Sequence, residues 1–343
     1  MSDPIRRDVA IVGAGPTGLF AVFELGMLKM SACVIDALDA VGGQCAALYP
    51  EKPIYDIPGR PSVMAQDLID DLEAQAAPFS PEMLLGRRVE TATRVDGGWR
   101  LGTDKGDVIE AKAIIIAAGA GAFGPNRPPL EGIETFEGDP DPARGVKYLV
   151  RRREDFRDRR VVIAGGGDSA VDWALSLPDV GAEVKVVHRR DKFRAAPESV
   201  DRMRALAAEG RIEIVAPYQL HGLDGADGRL DAVIVATLQG ETRRLDCDVL
   251  LPFYGLSTDL GPIADWGLEL HQHRLSVEPT TAATSEAGIF AIGDVATYDH
   301  KMKLILTGFS EAAFAAHAIR EIVYPGEALH FEYSTSKGLP GAA

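Results

Sequence analysis

One pattern occurs twice in this chain, and it narrows the folds open to it. Residues 8–39, "DVAIVGAGPTGLFAVFELGMLKMSACVIDALD", run as an apolar strand, a glycine-rich turn, a helical pattern from about 16 to 30, and a second apolar strand. Residues 160–191, "RVVIAGGGDSAVDWALSLPDVGAEVKVVHRRD", repeat that order. Two parallel strands need a helical crossover, so each stretch reads as a βαβ unit opening its own parallel sheet. The expected class is α/β, with two Rossmann-like three-layer dinucleotide-binding domains, and 343 residues suffice for both.

Between the repeats, "GWRLGTDKGDVIEAKAIIIAAG" alternates turn signals with short apolar runs, as a β-meander returning into the first sheet would. "AGAFGPNRPPLEG" then reads as a crossover into the second domain. A return crossover is expected near "EPTTAATSEAG" (278–288), before a buried strand "IFAIGD" and the helical stretch "TGFSEAAFAAHAIREIV". The first domain is thus expected to be discontinuous, residues 1–118 plus 287–343, around a second domain at 119–286.

The turns carry the chemistry. Gly13-Ala14-Gly15-Pro16-Thr17-Gly18 fits G-x-G-x-x-G between strand and helix. The first glycine permits the turn, the second lets a pyrophosphate approach the backbone, and the third lets helix and strand pack closely. The helix start then offers free N–H groups and a positive dipole end. Asp36 ends the second strand, where a carboxylate accepts hydrogen bonds from ribose hydroxyls. That suits a nucleotide with a free 2′-hydroxyl, such as FAD. The second turn is Gly165-Gly166-Gly167-Asp168-Ser169-Ala170. Its second strand ends not on an acid but on His188-Arg189-Arg190, with Arg194 shortly after. Guanidinium groups bind a 2′-phosphate that a carboxylate would repel, so this half is expected to take NADPH.

The formal net charge of −15 argues against non-specific binding to nucleic acid or to an anionic membrane. Three scattered cysteines are too few for a disulfide framework, and "MSDPIRRD" lacks the apolar core of a signal peptide, so a cytoplasmic location is expected. Nothing in the sequence is long and apolar enough to span a membrane. His271 and His273 are only two ligands and do not make a metal site. The arginine run "VKYLVRRREDFRDRR" (146–160) could dock an acidic partner, but the favoured reading is a solvated connector with internal ion pairs.

In this order, "VGAGPTG", "GGQ", "IIIAAG", "GGGDSA", "HRRDKFR" and "GIFAIGD" resemble the two-domain flavoprotein family of thioredoxin reductase over essentially the whole chain. One departure matters. That family carries a Cys-x-x-Cys dithiol in its NADPH domain, and residues 119–246 here contain no cysteine. The chain is more similar to the thioredoxin-reductase-like type of ferredoxin–NADP reductase. "GGQCAALYPEKPIYDIPG" (42–59), too proline-rich for a helix and too irregular for a strand, resembles that family's extended flavin strap, and "HFEYSTSKG" its C-terminal extension.

The resemblance implies hydride transfer from NADPH to FAD N5, then single-electron release to ferredoxin or flavodoxin, in a homodimer whose tail covers a flavin. It places Thr17, Asp36, Gln44, Tyr49, Val89, Phe123, Asp294 and Thr335 on FAD. Asp294 would meet the ribityl–pyrophosphate part, and the helix starting near Thr307 the flavin N1/O2 edge. Tyr49 would stack on one flavin face. Tyr333 would cover the other beside Ser334, with Phe331 as second candidate. Three rival readings remain open: a disulfide reductase with an unusual cysteine arrangement, a flavoprotein oxidase or flavin reductase, and a non-catalytic FAD/NADPH redox sensor.

Overall fold

The structure, a computed structural model, describes residues 3–119 and 121–327. These form six α-helices: α1 (Pro16–Met27), α2 (Gly43–Leu48), α3 (Ala65–Ala76), α4 (Asp168–Ser176), α5 (Pro197–Ala208) and α6 (Ile305–Val323). They fall into two compact units, one built from residues up to 123 and from 258 on, the other from 124–257.

The first unit is organised by a sheet in the order Glu82–Leu85, Ala32–Asp36, Ile5–Val12, Val108–Ile116, Gly98–Thr103, Val89–Val95. The first four run parallel, and the meander expected between the repeats supplies the antiparallel remainder. Val108–Ile116 changes partner along one edge. Residues 108–111 pair antiparallel with 99–102, and Ile114, Ile115 and Ile116 pair parallel with Ile289–Ala291. The returning chain thus completes the sheet.

Continuous apolar runs make the central strands, because both sheet faces are covered. Val9, Ile11, Val34 and Ile115 face α1 and α6, whose Ala21, Val22, Ala312 and Ala316 let the helices sit close. Ala10, Val12, Cys33, Ile35, Ile114 and Ile116 face the opposite layer, which contains Trp99, Ile263, Leu268 and Leu275.

That second layer corrects the expected return crossover. Residues 259–277 belong to the first unit, since Ile263, Leu268 and Leu275 are buried in its core and Arg274–Ser276 pairs with Ala296–Thr297. "EPTTAATSEAG" is a local turn, not a linker. The Glu278 carboxylate accepts the Thr280 N–H and the Thr280 and Thr281 hydroxyls. The chain crosses earlier, where Ala122–Pro125 and Leu256–Asp259 pair as a two-stranded ribbon. A second correction concerns the strap. Residues 43–48 are helical, because its prolines, 50, 53 and 58, all follow that turn and a half.

The second unit has a parallel sheet in the order Gly145–Val146, Val249–Pro252, Arg160–Ala164, Glu183–Val187, Ile212–Val215. One face packs on α4 and α5 through Val171, Trp173, Val200 and Met203. The other packs on an antiparallel sheet of Gln219–Ala226, Arg229–Ala236 and Thr242–Asp246, through Leu230, Val233, Val235 and Leu245.

Candidate functional site

Register puts the ends of four parallel strands of the first unit on one edge. Gly13 N–H donates to Ile35 O, Ala117 N–H to Val12 O, and Ile292 N–H to Ile116 O. The loops after these strands open together, as binding crevices of parallel sheets do. They border a cavity of about 620 Å³ lined by Gly13, Gly15, Thr17, Asp36, Gln44, Tyr49, Val89 and Asp294. All eight are positions expected from the sequence. Phe123 lies in the ribbon, and its side chain is outside the described residues, as are Phe331, Tyr333, Ser334 and Thr335.

The three glycines of the first turn differ in what holds them. Gly13 adopts φ +116, and a Cβ there would stand 2.3 Å from Ala117 O. On Gly18 it would stand 2.0 Å from Gly13 O. On Gly15 it would meet nothing within 4 Å. Gly13 and Gly18 are therefore demanded by the protein, whereas Gly15 leaves bare backbone beside the cavity. No side chain caps α1, and no acid lies in its first turn. The start of α6 is also uncapped and free of acids, and its Leu304 and Ile305 line the same cavity. Two positive helix ends thus meet one space sized for a nucleotide, a fit for an anionic ligand such as FAD.

Asp36 does more than its position suggested. One carboxylate oxygen accepts the Ala14 N–H at 2.6 Å and the other the Leu38 N–H at 2.8 Å. Burial raises its pKa, against those two hydrogen bonds. Each oxygen retains a second acceptor site. The strap is fastened above: Gly42 N–H donates to Ala14 O, and a Cβ on Gly43 would approach Gly15 Cα to 3.2 Å. The Cys45 thiol donates to the Tyr49 hydroxyl at 3.8 Å, and burial raises both groups, Cys45 to about 11. Cys33, Cys45 and Cys247 lie in three different core clusters, so no two form a dithiol. Burial pushes Cys33 and Cys247 to about 12.

The second unit repeats the cradle. A Cβ on Gly165 would press on Phe253 O at 2.8 Å, while one on Gly167 would meet nothing within 4 Å. Asp168 and Ser169 open α4, whose Gly167 N-cap supplies no side chain. The Asp168 carboxylate accepts the Ala196 N–H and the Arg194 N–H donates to Gly166 O, fastening the basic loop to the turn. His188 lies beneath that turn. Its ring lies where a Cβ of Gly166 would be, 2.3 Å away, and packs on Phe193. Burial lowers its pKa, with Arg189, Arg194 and Arg190 adding to the effect. The ring thus wedges under the second turn. Among the described residues no carboxylate pairs with Arg189, Arg190 or Arg194, although most arginines of this acidic chain are paired.

The sequence reading missed six residues. Arg87 and Arg88 border the cavity beside Val89, and Pro262 and Ile263 border it from the segment assigned to the other domain. Lys303 also lines it, its pKa lowered by burial and Arg274 against the pull of Asp294. Tyr254, raised by burial, lies close enough to Arg189 to feel its charge. In the 146–160 run, Arg152 and Arg157 pair within it, with Asp155 and Glu154, while Arg159 pairs outside it with Asp141.

The family model for pyridine nucleotide-disulphide oxidoreductases matches residues 7–318. A ferredoxin–NADP reductase of Granulibacter bethesdensis is 64% identical over 98% of this chain and 95% of that protein. One of Acidiphilium cryptum is 63% identical over 100% of both. Among solved structures, T. acidophilum thioredoxin reductase matches with a TM-score of 0.78 at 22% identity, covering 92% of this chain and 98% of that one.

Proposed function

The chain belongs to the pyridine nucleotide-disulphide oxidoreductase family and, within it, to the ferredoxin–NADP reductases, and on that premise we propose how its two glycine cradles divide the work. The enzyme is an FAD- and NADP(H)-dependent oxidoreductase that moves electrons between NADPH and ferredoxin. FAD, when bound, accepts a hydride at N5 and gives up electrons singly.

The cavity of the first unit is assigned to FAD. The uncapped start of α1 binds the pyrophosphate over Gly15, with Thr17 beside it and Gly18 keeping the helix close. Asp36 turns its spare acceptor sites to the adenosine ribose, and Val89 borders the adenine. Gln44 and Tyr49 hold the ring from the strap, the tyrosine covering one face and excluding water. Asp294 accepts from the ribityl chain, and the start of α6 faces the ring edge where negative charge collects. Phe123, Tyr333, Ser334 and Thr335 keep the roles that the resemblance gave them. Gly165, Gly167, Asp168 and Ser169 form the NADPH cradle, shaped from below by His188. Arg189, Arg190 and Arg194, unpaired by any carboxylate among the described residues, take the 2′-phosphate.

The observation that carries single-electron release is the state of the thiol at the cavity. Cys45 has no thiol partner and stays protonated far above neutral pH, so it cannot relay electrons as a dithiol would. Cys45→Ser is expected to retain full NADPH-to-ferredoxin turnover. Loss of turnover with flavin content intact would sink the reading and favour a disulfide reductase.

Flavodoxin as a second carrier, a cytoplasmic location and a homodimer complete the proposal. No helix among the described residues is long and apolar enough to cross a membrane. α6 exposes Leu306, Phe314 and Ile322, side chains that a second copy would cover. A solution mass of one 36.7 kDa chain would remove the dimer.

A further inference from the structure

Behind the cavity lies a buried pair of charges with no role so far. The side chains of Glu311, on α6, and Lys301 are 2% and 4% exposed. One Glu311 oxygen accepts the Gly293 N–H at 2.7 Å. The other accepts the Tyr298 hydroxyl at 2.9 Å and the Lys301 ammonium. A buried ion pair is weak evidence of stabilisation, since apolar residues of equal volume often do as well. Its placement gives a better reason. Gly293 and Asp294 both line the cavity, and Glu311 reaches the backbone of the first.

Nothing nearby has slack. Gly293 adopts φ +74, and a Cβ there would stand 2.9 Å from Thr17 Oγ1. On Gly308, one turn before Glu311, a Cβ would stand 2.1 Å from the Thr17 methyl and 3.3 Å from Gly293 Cα. The first turn of α1, the 293–294 turn and the first turn of α6 therefore close on one another. Glu311 is the side chain that hydrogen-bonds the turn to α6. Without its oxygen the buried Gly293 N–H lacks an acceptor, and the turn must rotate, carrying Asp294 with it.

We infer that Glu311, held by Lys301 and Tyr298, is a positioning residue that fixes the Gly293–Asp294 turn against the start of α6, so that both meet FAD in one geometry. The inference rests on the placement of FAD in the first-unit cavity.

Two double variants separate the hydrogen bond from the charge pair. Glu311→Gln with Lys301→Met keeps an oxygen for Gly293, whereas Glu311→Leu with Lys301→Met does not. Each purified holoprotein is stripped of flavin, titrated with FAD by fluorescence quenching, and reloaded to measure the midpoint potential of the bound flavin. The leucine variant is expected to bind FAD about tenfold or more weakly and at a shifted potential, and the glutamine variant to stay within about threefold of the parent. Equal affinities and potentials in the two would overturn the inference. Should the leucine variant fail to fold, Tyr298→Phe removes one of the groups holding Glu311 and must still shift the potential, and an unchanged potential there overturns the inference as well. Asp294→Ala in the same titration keeps the two claims apart. Parental affinity in it would sink the placement of FAD itself. Weakened affinity in it, beside equal double variants, would sink only the role of Glu311.

Discussion

Gly13 and Gly15 share one turn, yet a methyl group placed on each should have opposite consequences. Gly15 sits at φ −74, ψ −177, a conformation open to any residue, and a Cβ there meets no atom within 4 Å. Gly15→Ala should therefore leave the flavin-free protein at least as stable as the parent, with a gain of about 0.4–1 kcal/mol from restricting the unfolded chain. The space the methyl enters is where the pyrophosphate is proposed to lie. One charge-assisted hydrogen bond held out of reach is worth about 1.5–3 kcal/mol, or about 10- to 100-fold in FAD affinity. At Gly13, φ is +116 and the added Cβ stands 2.3 Å from Ala117 O. Gly13→Ala should destabilise the flavin-free protein by about 1–3 kcal/mol through backbone strain alone. Urea unfolding of the stripped proteins reads the stability, and quenching of FAD fluorescence reads the affinity. Parental FAD affinity in Gly15→Ala, or a loss of stability matching that of Gly13→Ala, would refute the reasoning.

The twin cradle gives the matching test, in which Gly167→Ala raises the KM for NADPH and leaves flavin content unchanged. Arg190→Ala with Arg194→Ala should lower kcat/KM for NADPH by about 10- to 100-fold and leave that for NADH alone; equal loss with both would remove the 2′-phosphate assignment. Thiol labelling at pH 8 should find no reactive cysteine in the native protein and all three after unfolding, because burial holds Cys45 near 11 and the others near 12. The same shifts make stability fall above pH 9, where the unfolded chain sheds thiol protons that the folded one keeps. Asp248 titrates in the opposite sense. Its hydrogen bonds from Arg160 lower its pKa below 3.8, so its contribution, about 1 kcal/mol for a part-exposed pair, is present above pH 4 and lost as pH falls further. Asp248→Asn should flatten the acid limb of an unfolding curve measured from pH 6 to pH 2.

The parts of this fold legible in the sequence were the local ones. Glycine spacing, a period of apolar residues and the residue ending a strand are all carried by neighbours in the chain, so both cradles, Asp36 and the arginines could be read directly. The return crossover was misplaced because "EPTTAATSEAG" has a linker's composition, while the burial of Ile263, Leu268 and Leu275 is settled by distant strands. The placement of the His188 ring follows from Gly166 lying above it, a contact no spacing reveals. Glu311 and Lys301 carry no motif, since their pairing, and the reach of Glu311 to Gly293, follow from where α6 docks. The strap helix at 43–48 was hidden by prolines that turned out to lie just beyond it.

The most direct measurement follows NADPH oxidation through cytochrome c reduction, with and without added ferredoxin, in the purified flavoprotein. Release of single electrons to an iron–sulfur carrier requires a rate that rises steeply with ferredoxin, saturates, and survives Cys45→Ser. A rate indifferent to ferredoxin, or one that appears only with a disulfide substrate and vanishes in Cys45→Ser, would contradict it.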